Sequence, residues 1–243
     1  MFGKLLNARY AGLAALGLAL AATVAAGAWA LRGPDAALLP AFAETPVTLP
    51  DGRVLYVATF EVSVAEWQRC ADAGACIAPA PLRPGLDAQT TPMTGINWTD
   101  AQAYVVWVHR AARFPLRLPT YAEWQVMADP VLPAPSDPLF TDPSLAWAAA
   151  YLTTPGYARA LRPRGSFSTS AEGIADLDGP VWEWTSDCYD PETAPGNCPA
   201  FFAAGLHKSV ISVLTRDPAR GGCAVGAPPA HLGLRLVSDR PAA

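Results

Sequence analysis

GPVWEW, Gly179–Trp184, places a glutamate between two tryptophans directly after a Gly-Pro pair. Glu183 has the wrong chemistry for an apolar core. Trp182 and Trp184 have the wrong chemistry for a solvated loop. Val181 to Asp187 reads as a strand, bounded upstream by the turn residues Asp178, Gly179 and Pro180. A strand that carries a carboxylate among indoles must give that carboxylate a partner, because an uncompensated buried charge is costly.

Working outward, three helix starts are marked. Ser63-Val64-Ala65-Glu66 is a capping box ahead of a helix running to about Ala73. Thr99 can cap a second helix to about Arg113, with Ala101, Tyr104, Val105 and Val108 on one apolar face. Thr120-Tyr121-Ala122-Glu123 is another box, opening a short helix to about Ala128. Val54–Phe60 and Leu232–Val237 read as further strands. There are 25 prolines, several of them clustered at 79–84, 130–143 and 191–199, so long regular elements are scarce. Helices and strands do not alternate regularly, which excludes a doubly wound parallel sheet and indicates a mixed α+β fold.

The chain has 243 residues, 51% of them hydrophobic, enough for one sizeable core. Only 16% are charged and the net charge is -4, so the basic face of a nucleic-acid binder is missing. MFGKLLNAR carries Lys4 and Arg9, and Tyr10–Leu31 then runs without a charge. That pattern predicts export: residues 1–31 fit both a cleaved signal peptide and an inner-membrane anchor. Residues 32–50 read as a linker, and residues 51–240 as the folded domain. In an oxidising compartment the five cysteines become disulfide candidates. Cys70 with Cys76, and Cys188 with Cys198, are the nearest pairs, although spacing alone does not fix connectivity. Cys223 is then left over, as a small buried thiol or as a reactive or metal-binding thiolate. No second cysteine or close histidine accompanies it, which favours the buried thiol.

YVATFEVSVAEW (56–67), INWTDAQAYVVWV (96–108), RLPTYAEW (117–124) and GIADLDGPVWEWTSD (173–187) follow one another, and RGG (220–222) and LGLRLV (232–237) close the chain. This order resembles the formylglycine-generating enzyme, or sulfatase-modifying factor, superfamily, with its "RLPTEAEWE", "GNVWEW", "RGGSW" and "GFR" signatures. The resemblance spans most of residues 55–237. It implies an irregular mixed α+β fold related to C-type lectins, with little regular secondary structure.

The resemblance also implies a structural calcium ion. By position, its ligands are the side chains of Asp176 and Glu183 and the carbonyls of Gly179 and Val181. Calcium takes such oxygen ligands. The alternative is a Glu183 that accepts backbone hydrogen bonds with no metal. Pro180 replaces the family's usual asparagine. Copper is not expected. Family oxidases hold it on two cysteines between "RGG" and "GFR", whereas here that segment is CAVGAPPAHL with one cysteine. His109, His207 and His231 are scattered, with His109 on an exposed helix face and the other two in loops. CADAGAC (70–76), GSFSTSAEGIADLDGPVWEW (165–184) and RDPARGGCAVGAPPAHLGLRLV (216–237) are similar to the nitrite-reductase-associated, NirV-type accessory proteins. The expected function is therefore a periplasmic accessory or binding protein, linked to nitrite reduction through an unknown protein partner. The alternative is an oxidoreductase with altered metal chemistry at Cys223, with His231 behind it. A lectin-like binder follows from fold analogy alone. Trp67, Trp98, Trp107 and Trp124 are expected in the core. Arg117 and Arg235 are expected to pair with buried carboxylates such as Glu123 or Glu183.

Overall fold

Each helix begins where a side chain takes over the backbone donors that a first turn leaves without partners. In the computed structural model, which describes residues 33–132, 160–193, 195–206, 208–217 and 231–242, α1 spans Val64–Asp72 and α3 spans Tyr121–Ala128. Ser63 and Thr120 cap them, with Glu66 and Glu123 reaching back to complete both boxes. The middle helix differs from expectation. α2 spans Trp98–Ala112 and is capped by Asn97, with Asp100 as the reciprocal partner; Thr99 lies inside its first turn. Asn is as good a cap as Thr, and Asp100 performs the role usually read from Glu or Gln. Arg113 ends α2 in the left-handed conformation.

Every described element belongs to one compact unit, Ala36–Ala243. Part of the stretch expected to be a linker is built into this unit. Val47–Thr48 form β1, paired antiparallel with β2, Val54–Val57, and Val47 and Leu49 are buried. Val47 and Leu49 alternate toward the core across the intervening residue, a signal the prolines of that stretch obscure.

The strands form two sheets. One has the order β1-β2-β7, with β7 at Val237–Ser238. The other has the order β5-β4-β3-β6, with β3 at Val181–Cys188, β4 at Ala200–Ala204, β5 at Ser209–Ser212 and β6 at His231–Gly233. All pairs are antiparallel except β3 with β6. LGLRLV is therefore not one strand. It begins in β6 against β3 and ends in β7 against β2. Between them, Leu234 and Leu236 accept backbone hydrogen bonds from Val62 and Ala58 at 3.0 and 2.9 Å. Gly233 allows the crossing: a Cβ there would lie 2.6 Å from Val181 Cγ1 and 2.9 Å from the Met93 carbonyl.

The helices α1 and α2 cover the larger core, around Trp67, Tyr104, Trp182 and Trp184. A second cluster joins Leu55, Trp124, Ile174 and Val237. Trp67 and Trp124 are buried as expected, while Trp98 and Trp107 are partly buried against the core. Disulfides join Cys70 to Cys76 and Cys188 to Cys198. Their sequence separations of 6 and 10 correspond to on the order of 2–3 kcal/mol each, gained by restricting the unfolded chain. Among the described residues no helix is long and apolar enough to cross a membrane; the leader or anchor expected at residues 1–31 lies outside them.

Candidate functional site

Burial of Arg235 is the central fact of the site. Its side chain is 0% exposed, and a guanidinium has five N–H groups to satisfy. Nε donates to Glu183 Oε1 at 2.9 Å, and Nη2 forms an ion pair with the same oxygen at 2.8 Å. Nη1 donates to the carbonyls of Ala58 and Thr59, and Nη2 to that of Ala175. Glu183 Oε2 accepts from Trp124 Nε1 at 2.8 Å. The carboxylate between two tryptophans thus holds the arginine that joins the two sheets. The expected pairing of Arg235 with Glu183 is present. So is that of Arg117, whose guanidinium meets Glu123 at 2.7 and 2.9 Å and Asp239 at 2.6 Å.

The four expected calcium ligands lie on the turn into β3 and on the strand itself. Asp176 is buried in the left-handed region at φ 67°. Its Oδ1 accepts from Phe167 N at 2.8 Å and its Oδ2 from Gly165 N. Gly179 N donates to the Asp176 carbonyl at 2.9 Å. Val181 opens β3 opposite His231. By ligand type the set suits a hard cation: two carboxylates and two carbonyls. Every oxygen of both carboxylates already accepts a hydrogen bond, and a cation at Glu183 would share it with the Arg235 guanidinium. Among the described residues no three His, Cys, Asp or Glu side chains are grouped as a metal-ligand set.

Glu61 is a functional candidate that the sequence did not single out. It sits in TFEVS between β2 and α1 and is 1% exposed. Its Oε2 lies 3.8 Å from Arg235 Nη2, yet has no hydrogen-bond partner among the described residues. Burial pushes the Glu61 carboxyl up to about 8; the positive Arg235 opposes that rise, and Glu183 and Asp176 reinforce it. Glu61 lines a cavity of about 140 Å³ together with Phe60, Tyr104, Trp107, Arg69 and Arg164. Arg164 donates to the Glu61 carbonyl at 2.9 Å and to Glu66 Oε2 at 3.0 Å, and its guanidinium lies 5.2 Å from the Phe60 ring centre. Burial also raises the Tyr104 phenol, which keeps it protonated. The only sequence signal for this site is an acidic residue inside an otherwise apolar strand entry.

Of the remaining candidates, His109 is exposed on α2 as expected. His231 lies in β6, not in a loop, because its backbone pairs with Val181. Cys223 and His207 lie outside the described residues.

The profile of the sulfatase-modifying factor enzyme 1-like domain matches residues 19–240. No protein of curated function matches the sequence. Among solved structures, the chain is similar to PvdO from Pseudomonas aeruginosa, with 16% identity and a TM-score of 0.49 over 82% of this chain and 92% of that one. It is similar to Treponema denticola variable protein 1, with 13% identity and a TM-score of 0.50 over 83% and 94%. It is also similar to CarF, with 17% identity and a TM-score of 0.48 over 77% and 87%. At these identities the likeness concerns the fold alone.

Proposed function

The chain belongs to the sulfatase-modifying factor enzyme 1-like family, and on that premise we propose that it is an exported accessory or binding protein without the family's copper-dependent oxidation of cysteine. The observation that carries this reading is the cysteine count. Of five cysteines, four are joined as Cys70–Cys76 and Cys188–Cys198, which leaves Cys223. A two-thiolate copper site needs a second soft ligand, and the chain supplies one only by opening a disulfide. The disulfides and the basic, then apolar, N-terminus also support an oxidising compartment. The proposed location is the periplasm, with the protein free or held to the inner membrane by residues 1–31.

Calcium at Asp176, Gly179, Val181 and Glu183 belongs to the same proposal, supported by the family and by ligand type. The protein partner, itself unidentified, belongs in this proposal to the nitrite reductase system. Support for it is the similarity of the short, cysteine-containing close to that of the NirV-type proteins. A second reading, an oxidoreductase with altered metal chemistry, draws on Cys223 as the remaining thiol.

The test of the partner is direct binding. The purified chain, titrated with a copper nitrite reductase and followed by analytical ultracentrifugation, is expected to form a discrete complex. Separate sedimentation at micromolar concentrations of both would remove the nitrite link and leave only the scaffold.

A further inference from the structure

We propose that the cavity beside Glu61 binds a small organic amine as its ammonium ion, with the nitrogen against the Glu61 carboxylate and the carbon body against Phe60, Tyr104 and Trp107. Three observations converge on it.

First, the buried cluster leaves an oxygen of Glu61 without a donor. Glu61, Glu183 and Asp176 are each at most 3% exposed and surround one arginine, Arg235. Arg235 donates hydrogen bonds to Glu183 and to three backbone carbonyls, and its Nη2 forms an ion pair with Glu183 Oε1 at 2.8 Å. Glu61 Oε2 feels a cation 3.8 Å away but receives no hydrogen from it. A buried carboxyl oxygen without a partner is costly. An ammonium ion supplies the missing donor and pairs with the carboxylate formed when Glu61 gives up its proton to solvent.

Second, the cavity is walled for a cation with a carbon body. Phe60, Tyr104 and Trp107 line it beside aliphatic carbon from Leu38, Val62 and Leu236. Aromatic faces attract cations, and the guanidinium of Arg164 already lies over Phe60. These walls offer no oxygen shell for a hard metal ion. An anion would face Glu61 and the acidic floor behind it. At the rim, Arg164 and Glu66 neutralise each other at 3.0 Å, and Arg69 is engaged by the Ala37 carbonyl at 2.6 Å.

Third, the volume sets the size. About 140 Å³ is close to the roughly 150 Å³ of a cavity that takes up benzene. The ligand class is thus a monoamine of about five to eight heavy atoms. The inference stands independently of the copper and nitrite readings.

The test uses the full chain as purified, titrated calorimetrically with isobutylamine and benzylamine and with their neutral counterparts isobutanol and benzyl alcohol. The amines are expected to bind at least about tenfold tighter than the alcohols, as desolvated charge pairing and cation–π contact imply. Glu61→Gln is expected to abolish that difference, and Trp107→Leu to weaken the amines several-fold. Amines that bind no tighter than the alcohols overturn the proposal, as does a folded Glu61→Gln protein with wild-type amine affinity. Should Glu61→Gln not fold, the comparison in the wild type and the Trp107→Leu variant decide: amine affinity unchanged by Trp107→Leu counts against the site.

Discussion

Arg235→Ala is expected to destabilise the domain by about 3–5 kcal/mol, the cost of removing one partner from a buried ion pair. The magnitude follows from what the substitution leaves behind. Glu183 Oε1 loses its guanidinium, and the carbonyls of Ala58, Thr59 and Ala175 lose their donors in a region closed to water. The same side chain ties the β2 exit to the β3 turn, so both sheets are loosened. Arg216→Ala is the control. Arg216 also holds a carboxylate, Asp100, at 2.7 Å, but its side chain is 50% exposed, and its loss is expected to cost less than about 1 kcal/mol. Urea unfolding of both variants measures the contrast. Equal midpoints for Arg235→Ala and wild type would show that the pair does not brace the fold. A double replacement, Arg235→Met with Glu183→Leu, is expected to recover only part of the loss, because it removes the Glu183 charge with its partner but leaves three carbonyls and Glu61 without Arg235.

Glu61→Gln is expected to change how stability depends on pH, in calcium-free buffer. The carboxyl is raised from 4.5 to about 8 in the folded protein, so between those values the unfolded chain has released a proton that the folded chain retains. Stability then falls as pH rises from about 4.5 towards 8 and levels off above. Glutamine cannot ionise, so the variant should lack this fall and be the more stable of the two near pH 8. The depressed carboxyls of Glu123 and Asp239 act in another window. Their contribution is present above 4.5 and 3.8 and is lost as pH falls further. Thermal unfolding at half-unit pH steps reads both. Parallel curves for wild type and Glu61→Gln would mean that Glu61 ionises normally.

The parts of the fold that the sequence announces are local ones. Ser63 with Glu66, and Thr120 with Glu123, are capping boxes because two nearby residues suffice to make them. The cap of the helix at Trp98 lies two positions before Thr99, because Asn97 and Thr99 are equally eligible until Asp100 turns back. LGLRLV reads as one strand because its alternation is regular. Only the tertiary structure shows it leaving β3 for β2, with Arg235 at the crossing. The Arg235–Glu183 pair was legible because a core poor in charge must pair what it buries. The Glu61 cavity was not. It is assembled from Leu38, β2's exit, α1, α2, Arg164 and Leu236, segments up to about two hundred residues apart, and no short motif encodes such a convergence.

The measurement that bears most directly on the binding-scaffold reading is elemental analysis of the chain purified from an oxidising compartment and offered calcium and copper, with oxygen uptake followed in the presence of a cysteine-containing peptide. The account predicts about one calcium per chain, no stoichiometric copper and no uptake. Stoichiometric copper that supports oxygen consumption, and that is lost on Cys223→Ser, would contradict it and establish an oxidase built on a single thiolate.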